Sequence, residues 1–351
     1  MQYIEGNVID GRYILERLIG NGSFGEVWVA KDNRTDVEVA IKIYVAMDQQ
    51  GLDDFRKEFQ LSFNLNHTNL LHANYLGINQ EDNRPFLVMP YCPRGSVSRY
   101  AGEMTEMELW HFIKDVSAGL SYLHLQDPPI IHQDIKPDNI LLLQNGSYVV
   151  TDFGISKQLR RSLKRSASLN SAGAISYMGP ERFSKNYQTI KASDIWSLGV
   201  AIYELATGEL PFAGMGGSLQ KQGAEIPDLP GYSPQLNTLL AGCLAKDTWD
   251  RPTAQQINEY ATACLKGGNP EATWLMPAAS PQNSREPQSS SVTMETVVKE
   301  EPAVYPYPHE SITYAAYDKK ETVKSKSIPA WVYGAVSFVG LVVGFLLSRV
   351  F

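Results

Sequence analysis

Residues His132-Gln133-Asp134-Ile135-Lys136-Pro137-Asp138-Asn139, then the strand-like run Tyr148 to Val150, then Asp152-Phe153-Gly154, gather carboxylates, a lysine and an asparagine in mid-chain. Outward toward the N-terminus, Val39-Ala40-Ile41-Lys42-Ile43 reads as a strand with one lysine among apolar residues. An unpaired ammonium is costly to bury, so Lys42 needs anionic partners. The helix-period segment Asp53 to Leu65 offers one, because Glu58 lies among Phe55, Phe59, Leu61 and Phe63 and an inward carboxylate there would meet Lys42. The competing reading is a snorkelling lysine and a separate surface glutamate. Further out, the β-like runs Tyr13 to Leu18 and Val27 to Ala30 flank Gly20-Asn21-Gly22-Ser23-Phe24-Gly25. A dinucleotide fold needs a helix after such glycines, whereas Glu26-Val27-Trp28-Val29-Ala30 alternates like a second strand, so a hairpin lid is predicted. Glycines permit the tight turn and let backbone N–H groups approach phosphate oxygens, while Val27 can press on a base. An ordinary glycine hairpin is the alternative.

The order and spacing of these motifs resemble the protein kinases, and Lys136 in its position resembles the serine/threonine class. The resemblance spans 11–265 and implies an α+β, bilobal kinase fold. A small β-rich N-lobe with one helix would sit beside a larger α-helical C-lobe, with ATP in the cleft between them. By the same resemblance Ile19 binds ATP, Gly20, Asn21, Gly22, Ser23, Phe24 and Gly25 cover the phosphates, and Lys42 holds the α- and β-phosphates and pairs with Glu58. Val27, Ala40 and Met89 would line the adenine pocket, Met89 ending the strand Phe86-Leu87-Val88-Met89, with Pro90, Tyr91 and Cys92 as hinge. Asp134 would be the base, Lys136 would lie beside the γ-phosphate, and Asn139 and Asp152 would coordinate Mg²⁺, or Mn²⁺ in its place. The implied activity is transfer of the γ-phosphate of ATP to Ser or Thr hydroxyls of protein substrates, including the chain itself. Such transfer demands positioning and compensation of developing charge, which cations, metal ligands and a carboxylate supply. Gly179-Pro180-Glu181 resembles the family's Ala-Pro-Glu with Arg251 as ion-pair partner, and Asp194 would hold the catalytic loop's backbone.

Two departures stand out. Gln133 replaces the arginine that usually meets a phosphate on the activation segment, and Ala174 replaces the threonine that helps tie Asp134 to Lys136, with Ser176 two residues on. The segment between Asp152 and Glu181 interleaves Lys157, Arg160, Arg161, Lys164 and Arg165 with Ser162, Ser166, Ser168 and Ser171, the candidate phosphosites. A solvated loop without special role, or a basic loop resting on anionic lipid, are the other readings. The departures also support an alternative function, a nucleotide-binding pseudokinase acting as a membrane-tethered interaction module.

The remainder of the chain sets the context. With 31 Lys plus Arg against 38 Asp plus Glu, the net charge of -7 provides no overall field for gripping nucleic acid. Cys92, Cys243 and Cys264 are odd in number and lack metal-ligand spacing, so a reducing cytosol fits and no disulfide framework is expected; Cys92 and His132 read as packing residues. The first ten residues do not resemble a secretory signal. Residues 266–327 form a Pro- and Ser-rich linker that cannot bury enough apolar surface to offset its ordering entropy. The uncharged run Ile328 to Leu347 is long enough to cross a ~30 Å hydrocarbon core, which predicts a transmembrane tail anchor over 328–348. Lys319, Lys320, Lys324 and Lys326 before it place the kinase domain on the cytoplasmic side. Gly340 and Gly344 have the small-xxx-small spacing through which two spans can pair as a homodimer.

Overall fold

The computed structural model describes residues 3–22, 25–152, 175–185, 187, 190–272 and 274, without the side chains of Glu58, Leu61 and Ser62. Ser23, Phe24, Phe153, Gly154, the basic segment with Ser162, Ser166, Ser168 and Ser171, Ala174, most of the linker and the expected membrane span lie outside the described residues. No helix among the described residues is long and apolar enough to cross a membrane. The described residues all belong to one compact unit within Met1–Ser284.

Strands β1 (Val8–Ile9), β2 (Tyr13–Gly22), β3 (Gly25–Asp32), β4 (Glu38–Tyr44), β5 (Tyr75–Ile78) and β6 (Pro85–Pro90) form one antiparallel sheet in the order β1-β2-β3-β4-β6-β5. Helix α1 (Gln49–Phe63) follows β4, and its Phe55 ring meets Tyr44 edge-on at 4.7 Å between centroids. Alternation along β2 to β4 sends Tyr13, Leu15, Trp28, Ala30, Ile41 and Ile43 into a single N-lobe core. The glycines behave as the hairpin reading expects, with Gly22 opposite Gly25 at the closed end of the β2–β3 pair. Gly25 has φ +141°, and a Cβ there would fall 1.9 Å from the Ile43 carbonyl oxygen, so only glycine lets β3 pass β4 this closely.

The C-lobe is built on α2 (Glu106–His124) and α3 (Lys191–Thr207). Thr105 and Glu108 close a reciprocal capping box at the start of α2, and Leu109, Phe112, Ile113, Val116, Leu120 and Leu123 then recur on one face at helical spacing. Helix α3 is buried almost all round from Ser193 to Ile202, the pattern of a central core helix. Helices α4 (Gly217–Lys221), α5 (Pro234–Cys243) and α6 (Ala254–Leu265) complete the lobe, and the hairpin β7 (Ile140–Leu142) and β8 (Tyr148–Val150) lies between α2 and α3 in the chain.

Residues on both sides of 11–265 pack against the fold. Tyr3 and Ile9 are buried in the N-lobe core, and Trp274 lies against Gly242 of α5 and edge-on to Tyr260 of α6 at 5.1 Å. Neither tail segment carries a periodic apolar run, which is why composition alone places both outside the fold.

Candidate active site

Sheet register assembles one wall of the cleft. Gly20 pairs with Val27, Val27 with Lys42, and Ala40 with Met89, so residues scattered from β2 to β6 line up across neighbouring strands. They border a cavity of about 650 Å³ whose lining also includes Ile19, Tyr91, Cys92, Asn139 and Asp152. Leu141 and Thr151 form part of the same lining and went unremarked in the sequence; an apolar residue two positions past Asn139 is the signal that would have found Leu141. Burial pushes the Cys92 thiol up to about 11, which suits a packing residue rather than a nucleophile.

At the deep end, Lys42 Nζ donates to both carboxylate oxygens of Asp152 at 2.6 Å. Burial alone would raise the Asp152 carboxyl; the Lys42 charge and hydrogen bonds outweigh it and hold the group below the ordinary carboxylate range. Asp152 is thus one anionic partner of Lys42, a pairing the sequence reading did not include. Glu58 lies on α1 as expected, and its side chain is outside the described residues.

The loop that carries His132 to Asn139 is held by α3. Asp194 is fully buried and accepts from the backbone N–H groups of His132 and Gln133 at 2.8 Å each, and its Oδ2 meets His124 Nε2 at 2.9 Å. Gln133 adopts φ +70°, a left-handed conformation that this pair of charge-assisted bonds sustains. The Asp134 N–H donates to His132 Nδ1 at 3.3 Å, so His132 carries its proton on Nε2 and donates it to the Thr151 carbonyl at 2.9 Å. This fastens the loop to the segment that delivers Asp152. Asn139 Nδ2 donates to the Asp134 backbone oxygen at 2.8 Å and to its Oδ2 at 3.0 Å, and Lys136 Nζ lies 3.4 Å from the same Oδ2. Asp134, Lys136 and Asn139 thus form one bonded group, and Lys42 with Asp152 a second.

Both departures have visible consequences. The Gln133 side chain turns back toward the Ile131 carbonyl at 3.5 Å instead of presenting a cation. Ser176 is buried and donates to the Gly214 carbonyl at 2.7 Å, so its hydroxyl serves the C-lobe backbone and does not replace the threonine missing at position 174. Glu181 and Arg251 form the expected pair, at 2.9 and 3.2 Å, with further Arg251 bonds to the Ala192, Ala245 and Lys246 carbonyls.

Comparison with known proteins identifies the family. A model of the protein kinase domain matches residues 13–261. The serine/threonine-protein kinase PrkC of Bacillus subtilis (strain 168) is 33% identical over 268 residues, an alignment covering 74% of this chain and 40% of PrkC. The serine/threonine-protein kinase dst1 of Dictyostelium discoideum is 32% identical over 254 residues, 70% of this chain and 34% of that protein. PknA of Mycobacterium tuberculosis (strain ATCC 25618 / H37Rv), also a serine/threonine-protein kinase, is 32% identical over 220 residues, covering 60% and 50%. The chain therefore spans from 34% to 50% of the length of these relatives.

Proposed function

From the premise that this chain belongs to the protein kinase family, we propose that it transfers the γ-phosphate of ATP to Ser or Thr hydroxyls of protein substrates. The observation that carries the reading is that Lys42, Asn139 and Asp152 line one cavity with Val27, Ala40 and Met89, and that Asn139 is bonded to Asp134. Donor chemistry supports a divalent magnesium or manganese ion. Asp152 is a carboxylate, and the Asn139 amide nitrogen is committed to Asp134, which leaves its oxygen as the atom for a hard cation. Such an ion, bound by Asp152 and Asn139, would offset the negative charge of the phosphates.

The chain's own residues do the rest. Lys42 offers an ammonium to the α- and β-phosphates, and the glycine hairpin offers backbone N–H groups above them. Asp134 accepts the acceptor hydroxyl's proton on its carboxylate, and Lys136 steadies charge at the transferred group. Adenine takes its hydrogen bonds from the main chain around Tyr91 and Cys92; Pro90, having no N–H, contributes only a carbonyl. Autophosphorylation at Ser162, Ser166, Ser168 or Ser171 belongs to the same proposal.

The deciding experiment is transfer of labelled γ-phosphate from Mg-ATP by the full chain, beside Asp134→Asn and Lys42→Met. Label on the wild type that both variants lose establishes the activity. Nucleotide binding without label on the chain or on a generic acceptor would favour the interaction-module reading, which the positions of Gln133 and Ser176 support. We further propose that 328–348 anchors the chain in a membrane with the kinase domain in the cytoplasm, supported by the uncharged run and the lysines before it. The full chain is expected to float with lipid vesicles and a chain ending after Trp274 to remain behind.

A further inference from the structure

Arg84 is buried outside the cleft, and the groups it meets belong to β3 and to β4, the strand that carries Lys42. Its Nε donates to the Tyr44 carbonyl at 2.6 Å, and its Nη2 lies 3.8 Å from Glu26 Oε1. Tyr44 closes β4 two residues after Lys42, and its ring sits 5.4 Å from the Lys42 ammonium and against Phe55 of α1. Glu26 follows Gly25, the glycine whose backbone passes closest to β4, and pairs in register with Ile43. One guanidinium thus ties the returning limb of the glycine hairpin to the end of the strand that carries Lys42.

The N-terminal segment completes the arrangement. The Arg84 guanidinium lies 4.9 Å from the centre of the Tyr3 ring. The Tyr3 hydroxyl donates to Asp82 Oδ2 at 2.8 Å and accepts from Asn79 at 2.9 Å, which locks the β5–β6 turn carrying Arg84. A guanidinium's rigid planar fork can hold a carbonyl and approach a carboxylate while an aromatic face covers it, which a single ammonium cannot reproduce.

We propose that Arg84 is a positioning residue for nucleotide, acting through Tyr44 and Glu26 on Lys42 and the glycine hairpin. Tyr3 and the segment before residue 13, outside the matched kinase region 13–261, hold it in place. This rests on the phosphate-binding role proposed above for Lys42.

The test uses the full chain with Arg84→Met, Arg84→Lys, Tyr3→Ala and Tyr3→Phe, each assayed well below its melting temperature. Steady-state transfer is read beside direct titration with Mg-ATP. Arg84→Met is expected to raise the KM for ATP and the Kd for Mg-ATP about tenfold, with kcat changed less than about twofold. Arg84→Lys should recover only part of this loss. Tyr3→Ala should raise both constants about threefold, and Tyr3→Phe, which keeps the ring against the guanidinium, should fall between wild type and Tyr3→Ala. Variants that melt earlier yet keep wild-type KM and Kd for the nucleotide would overturn the proposal and leave Arg84 a structural residue. If Arg84→Met does not fold, Tyr3→Ala decides by the same constants. A wild type that binds Mg-ATP without transferring phosphate would overturn the kinase reading, and the titration would still decide this one.

Discussion

Asp134 is held by backbone and side chain alike, with Asn139 bonded to its carbonyl and its carboxylate and Lys136 close to the same oxygen. Asp134→Asn preserves this shape but cannot accept a proton. Phosphate transfer should fall by roughly 10²- to 10⁴-fold while Mg-ATP binding stays near wild type; a parallel loss of binding would contradict the base assignment. Asp32 makes a different point at the same scale. The Arg12 guanidinium bonds it at 2.6 and 2.8 Å and holds its carboxyl down to about 2. A folded pKa below the unfolded value stabilises above about pH 4 and is lost as pH falls toward 2. Asp32→Asn should therefore cost about 2 kcal/mol at neutral pH, with the gap to wild type closing between pH 4 and 2 in denaturant titrations.

Among elements, the glycine hairpin and the Glu181–Arg251 tie are each set by one close approach. Gly25→Ala places a Cβ 1.9 Å from the Ile43 oxygen at φ +141°, so β3 and β4 must part. The expected result is a strain of about 1–3 kcal/mol and a raised KM for ATP, measured on the purified variant. Arg251 has no exposed side-chain surface, and its nitrogens meet the Glu181 carboxylate and backbone carbonyls. Burial would raise the Glu181 carboxyl, but Arg251 more than compensates and lowers it. Arg251→Met strands that carboxylate and should cost about 3–5 kcal/mol in chemical unfolding.

Across the whole molecule, the boundaries matter. A chain ending after Leu265 loses the Trp274 ring from its seat on Gly242 and Tyr260, so it should unfold at lower denaturant than one ending after Trp274, by about 2 kcal/mol. Equal midpoints would make Trp274 incidental. The sequence by itself determined the glycine hairpin and the strand bearing Lys42, because each is a local run whose spacing reports its own backbone geometry, and the order of its motifs carried the resemblance to the family and to its Asp134 loop. Asp194 and the Glu181–Arg251 pair were also legible, through motifs whose order along the chain implies contact. Only the tertiary structure decided that Lys42 pairs with Asp152, that Ser176 turns to Gly214, and that Arg84 joins Tyr3, Glu26 and Tyr44. Those contacts join residues far apart in the chain, and their partners are chosen by which strands neighbour one another and how closely they pack, which periodicity does not encode.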